Sequence, residues 1–299
     1  MRPSRGWFTV AAAAVGTLAA PRPAAAFVRY LTDDGAPFFW AQRSVPIVAY
    51  PNDFTQTGMT TDQVGGALAA AASAWSQAQN PCTTLELGTS LSTAPTPLAT
   101  NDGHNVVIFR GTTWCHVGSD GNCNISYDAT ALVVTTDTAN TATGQIYDAD
   151  VEVNLVDYQW ADVVADPDLS ADRDLQNALT HELGHLIGLD HTCFDPLTSM
   201  TGVRPDDNTG QPVPDCDTAS ADVRATTMFP TSAPGEIDKR TLAPDDQDAV
   251  CTIYSVSTPP PAADGGCVEC AATGGRSGGG LPFVLGALLL ARRRARRRS

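Results

Sequence analysis

Along residues 27–256 the hydrophobic positions change period several times, and each change marks an element. Val45 to Tyr50 (VPIVAY) reads as a strand, closed by the turn-forming Pro51-Asn52-Asp53. From Thr60 the period becomes helical. Val64, Leu68, Ala71 and Trp75 fall on one face, Thr60 and Gln63 have capping-box spacing, and Asn80-Pro81 stops the helix. Asn105 to Arg110 (NVVIFR) and Ala131 to Thr136 (ALVVTT) read as further strands. Between Gln145 and Leu155, Tyr147, Ala149, Val151, Val153 and Leu155 alternate with polar residues, the period of a half-buried strand. A helix is predicted over 171–187, with Ser170 as its cap, Asp172 and Asp174 at the positive end of its dipole, and Gly188 as a left-handed C-terminal cap. Leu175, Leu179, Leu183 and Leu186 form one stripe of it, while His181 and His185 sit well round on another side. Residues 192–240 read as long loops and Thr241 to Tyr254 as a last helix, with Pro244 in its first turn. The pattern is that of an α+β domain: a mixed sheet, two long helices and an irregular C-terminal subdomain ending in a helix.

Both ends of the chain read differently. Residues 1–26 have the form of a secretory signal: Arg2 and Arg5, an apolar stretch from Phe8 to Ala20, then Ala24-Ala25-Ala26 as a cleavage site. Residues 27–256 form one domain, and 257–280 are a Pro- and Gly-rich linker. The tail, 281–299, joins an apolar run, Leu281 to Ala291, to an arginine cluster. As a helix that run covers about 16 Å, well short of a ~30 Å hydrocarbon core.

Charge narrows the choice of partners. The chain carries a net −15, but residues 27–263 hold 8 Lys and Arg against 31 Asp and Glu, a net −23. Nucleic acid and anionic membrane are excluded as partners of such a surface. Asp148, Asp150 and Glu152 lack the spacing of a calcium loop, so no motif supports Ca²⁺, and they read as solubilising residues. Of eight cysteines, six lie in the body, consistent with export to an oxidising compartment. The one C-x-x-C pair, Cys267 and Cys270, is in the tail without a second pair. Six cysteines allow fifteen connectivities. Cys115 and Cys123 flank a turn-rich loop and are expected to pair, as are Cys193 with Cys216 across the loop after the second helix.

Candidate chemistry lies in one string, His181-Glu182-Leu183-Gly184-His185-Leu186-Ile187-Gly188-Leu189-Asp190-His191. Histidines four apart on a helix project from one face, within reach of a single tetrahedral Zn²⁺. Glu182 lies beside the metal without binding it, placed to act as general base. Gly188 ends the helix with positive φ, so the chain turns back and His191 becomes the third ligand. His104 and His116 are isolated and read as surface residues, and no G-x-S-x-G is present.

This string resembles the extended zinc motif of the metzincin metalloproteases at every fixed position. The resemblance implies a metzincin-like catalytic domain, one catalytic Zn²⁺, protein or peptide substrates and a methionine turn beneath the histidines. Ala225-Thr226-Thr227-Met228-Phe229-Pro230 resembles that turn in the matrixin branch, with Met200 as a rival nearer His191. Pro230 stands where some branches use a tyrosine. Family geometry implies that the strand holding Ala131, Leu132, Val133 and Val134 is a sheet edge that pairs with substrate. A Cys82–Cys251 bridge tying the end of the first helix to the last is similar to one in astacins. The stretch from His191 to Met228 is longer than in typical matrixins, and no cysteine-switch propeptide is evident. The tail resembles C-terminal sorting tails of the myxobacterial type, which implies a surface-attached or released protein and contact with membrane or sorting machinery through the tail. Two other functions fit the same residues: a zinc-fold binding module without turnover, and a zinc hydrolase acting on other bonds.

Overall fold

A computed structural model describes residues 26–54, 59–77, 79–118, 120–196, 202–257 and 282–290, the last through backbone pairing. The expected leader to residue 25, Met200, the tail cysteines and the arginine cluster lie outside the described residues. Within them the strands are β1 (Val28–Arg29), β2 (Ser44–Tyr50), β3 (Glu86–Leu91), β4 (Asn105–Arg110), β5 (Cys115–Val117), β6 (Cys123–Ser126) and β7 (Ala131–Ala139). They continue with β8 (Ile146–Asn154), β9 (Trp160–Ala161), β10 (Arg173–Asp174), β11 (Leu189–Asp190), β12 (Thr231–Ser232) and β13 (Pro282–Leu290). The helices are α1 (Thr61–Trp75), α2 (Leu175–Leu186), the single turn α3 (Ala221–Arg224) and α4 (Pro244–Ile253). The class is α+β with a mixed sheet.

The main sheet runs β12-β13-β7-β8-β4-β2-β3. β3, β2, β4 and β8 are mutually parallel, and β7 is antiparallel to both of its neighbours. Parallel neighbours need a crossover, and α1 supplies it between β2 and β3. α1 opens with the expected capping box, Thr60 and Gln63 bonding reciprocally. It stops at Trp75, ahead of Asn80-Pro81: the backbone turns extended at Ser76, whose amide and hydroxyl both donate to the Ala72 carbonyl. α1 and α2 pack against each other and bury their facing sides with the sheet in one apolar core that includes Trp40, Trp75, Trp160 and Tyr254.

Four expectations are corrected. The second long helix begins at Leu175, not Ala171: Asp174 caps it by accepting from the Asn177 amide, and Arg173–Asp174 is held extended against Trp160–Ala161. β7 is not a sheet edge, because β13 pairs along its outer side from Thr138 to Ala131. Asp148, Asp150 and Glu152 do not face solvent; all three are buried. The outer face of β8 is covered by Gly103, which donates its amide to Asp148, by Val106, which donates to Asp150, and by Arg110, His116 and Tyr127, which surround Glu152. His116 is accordingly part of a buried network, while His104 is exposed beside Asp102.

The disulfides are Cys82–Cys251, Cys115–Cys123 and Cys193–Cys216, with Cα separations of 5.2, 5.7 and 4.9 Å. They indicate an oxidising environment. No helix among the described residues is long and apolar enough to cross a membrane.

Candidate metal centre

His181 and His185 lie one turn apart on α2, and His191 follows β11. Between them Gly188 adopts φ of +94°, and a Cβ there would meet the Phe38 carbonyl oxygen at 2.6 Å, so no other residue makes this turn unstrained. The end of α2 is anchored by side chains from distant elements. Trp40 Nε1 donates to the Leu186 carbonyl, and the Tyr254 hydroxyl donates to that of Ile187. Carbonyls that a helix end leaves without partners are thereby satisfied.

The three Nε2 atoms converge at 3.1, 3.2 and 3.3 Å from one another. His181 Nδ1 bonds to the Thr227 carbonyl at 2.7 Å and His185 Nδ1 to the Leu189 carbonyl at 2.8 Å. A carbonyl only accepts, so Nδ1 carries the proton in both rings and each Nε2 presents a lone pair to the centre. Converging lone pairs call for a cation. Tetrahedral Zn–N bonds of about 2.0–2.1 Å put ligand nitrogens roughly 3.3 Å apart, so the spacing fits one ion. Burial first, and then the neighbouring imidazoles, depress the pKa of His181 and His191 well below the ordinary value, and burial takes His185 down to about 4. All three are neutral near pH 7, the state a ligand requires. Among the described residues this is the one cluster of His, Cys, Asp or Glu able to hold a metal.

Glu182 is fully buried on the same helix, and Thr135 of β7 donates its hydroxyl to the Glu182 carboxylate at 2.7 Å. Met228 is buried against the underside of α2. A Cβ on Gly184 would fall 2.2 Å from Met228 Sδ and 2.9 Å from Trp75 Cζ2, so the glycine makes room for the turn. Thr227, which precedes Met228, is held in turn by Asp246 of α4, which accepts from its amide at 2.7 Å. On the other side Tyr30 lies 5.6 Å, ring to ring, from His185, and its amide donates to the Gly188 carbonyl.

Thr135, Asp246, Tyr30 and Gly184 escape a reading of the motif. Only Gly184 leaves a signal, since glycine inside a helix costs about 1 kcal/mol against alanine and needs a packing reason. Fold and site together define an α+β protein with a buried three-histidine cluster that can hold one metal ion. No protein-family model and no curated protein matches the chain.

Proposed function

We propose that the chain is an exported zinc endopeptidase of the metzincin type, matrixin-like, with His181, His185 and His191 as ligands and Glu182 as general base. One observation carries the reading: three histidine Nε2 atoms, two of them fixed proton-free by carbonyls at Nδ1, meet at 3.1–3.3 Å, with a buried carboxylate on the helix that carries His181 and His185. A purely structural site has four protein ligands and is closed, whereas three leave a position for water or substrate. Zinc, when bound, supplies a Lewis acid and lowers the pKa of water to about 7.

The rest falls to the chain. Glu182 takes the proton of the attacking water and returns it to the departing amine. Thr135 fixes the carboxylate, so the base needs no reorientation. The carbonyls of Thr227 and Leu189 hold the imidazoles in the tautomer that binds metal. Met228 supports the ligands as packing and touches no reacting atom.

The test is hydrolysis of a mixed peptide library by the zinc-loaded protein, blocked by a chelator and restored by added zinc. Cleavage of small esters alone supports a different zinc hydrolase, and no turnover with zinc bound supports a binding module.

A further inference from the structure

β13 lies in a slot with two different walls. On one side it pairs antiparallel with β7, Val284 opposite Thr136 and Leu285 opposite Thr135; on the other it pairs parallel with β12, Leu289 opposite Thr231. β12 follows Met228 by three residues, and β13 also runs close to α2. The β7 ladder shifts register between Leu285 and Ala287. Thr135, at that step, is the residue whose hydroxyl holds Glu182. The backbone of the tail therefore runs along the strand whose Thr135 holds Glu182, in the path of any other extended chain that would pair with β7.

We propose that the slot between β7 and β12 is a binding site for an extended peptide, and that residues 282–290 of the same chain are its resident occupant and exclude competitors. A strand seated between two others satisfies backbone groups on both sides, and an outside peptide must replace both ladders. Tethering through residues 258–281 supplies an effective concentration on the order of mM, so a weak strand interaction suffices against a dilute substrate. On the peptidase reading, on which this consequence rests, the full chain is self-blocked and loss of the tail opens it.

Hydrogen exchange tests occupancy without reference to catalysis. In the metal-free protein, removing residues 282–299 is expected to speed exchange of the β7 amides directed toward β13 by at least ~10-fold. Val284→Pro in the full chain, which removes one backbone donor from the tail strand, is expected to do the same with the tail still attached. Equal exchange in all three forms overturns the proposal. With zinc bound, the shortened form is expected to show a KM for an extended peptide lower by at least ~10-fold at similar kcat. Faster exchange with an unchanged KM overturns the exclusion of competitors. Faster exchange while no form hydrolyses peptides leaves the occupancy standing and removes the peptidase reading.

Discussion

Helices α1 and α2 pack side by side, yet they bury different chemistry. Every buried residue of α1 is apolar: Val64, Ala67, Leu68, Ala71, Ala72, Ala74 and Trp75. α2 buries Asn177, Thr180, His181, Glu182 and His185 beside its leucines. Burying a polar group costs free energy unless its bonds are replaced, and α2 replaces them with six partners from elsewhere in the chain. Ser232 and Lys239 serve Asn177, Trp75 takes the Thr180 carbonyl, Thr227 and Leu189 hold the histidines, and Thr135 holds Glu182. One helix contributes to the core in the ordinary way; the other is a platform that the rest of the fold supports. Changes that suit α1 should therefore damage α2.

The largest effect is expected where the two helices meet. Trp75 is fully buried and its indole donates to the Thr180 carbonyl at 2.7 Å, so Trp75→Ala should destabilise by about 3–5 kcal/mol and loosen the helix that carries His181 and His185. Denaturant unfolding of the metal-free protein measures the first part and zinc affinity the second. A stability loss with unchanged zinc affinity would separate the helix from the site.

The same substitution at two glycines sharpens the contrast. Gly184→Ala drives a methyl group into Met228 and Trp75, and should cost about 1–3 kcal/mol. Gly66 of α1 is exposed with nothing within 4 Å of an added Cβ, so Gly66→Ala should stabilise by about 0.5–1 kcal/mol. Two changes of the same sign would refute the difference drawn between the helices.

A smaller, pH-dependent effect is expected at Asp137 on β7. It is fully buried, neither carboxylate oxygen has a hydrogen-bond partner among the described residues, and burial, with Asp148 and Glu182 nearby, raises its pKa well above the ordinary value. Its folded pKa exceeds the unfolded one of about 3.9, so it costs nothing below that value and destabilises increasingly as pH rises toward the folded value. Asp137→Asn in the metal-free protein should therefore gain stability over the parent between pH 4.5 and 8, with a gap that widens with pH. A gap independent of pH would mean that the carboxylate is not the cause.

What was legible in the sequence follows from how locally each feature is encoded. The three histidines, Glu182 and the positive-φ glycine lie within eleven consecutive residues, so the cluster that can hold a metal is readable from spacing alone. β4 is bounded as its apolar run indicates, and α1 opens at its capping box. The three disulfides are the same pairs that the sequence reading joined. β3 escaped because Glu86, Gly88 and the end of the strand face outward and leave no alternation. The acidic residues of β8 were misread for a related reason: alternation shows that one face is polar, but not that a loop and a hairpin will cover it. Thr135 and Asp246 reach the site from 47 and 64 positions away from Glu182, and nothing local marks either.

The central claim separates metal binding from proton transfer on one helix, and Glu182→Gln tests it most directly, with zinc content and peptide hydrolysis measured on the same sample. The substitution keeps the size of the side chain and removes the base, so zinc should stay near one per chain while hydrolysis falls at least ~10²-fold. His185→Ala, as the control, should lose metal and activity together. Parent-rate hydrolysis by zinc-loaded Glu182→Gln would contradict the base assignment, and loss of zinc from that variant would show that Glu182 supports the metal instead of activating water.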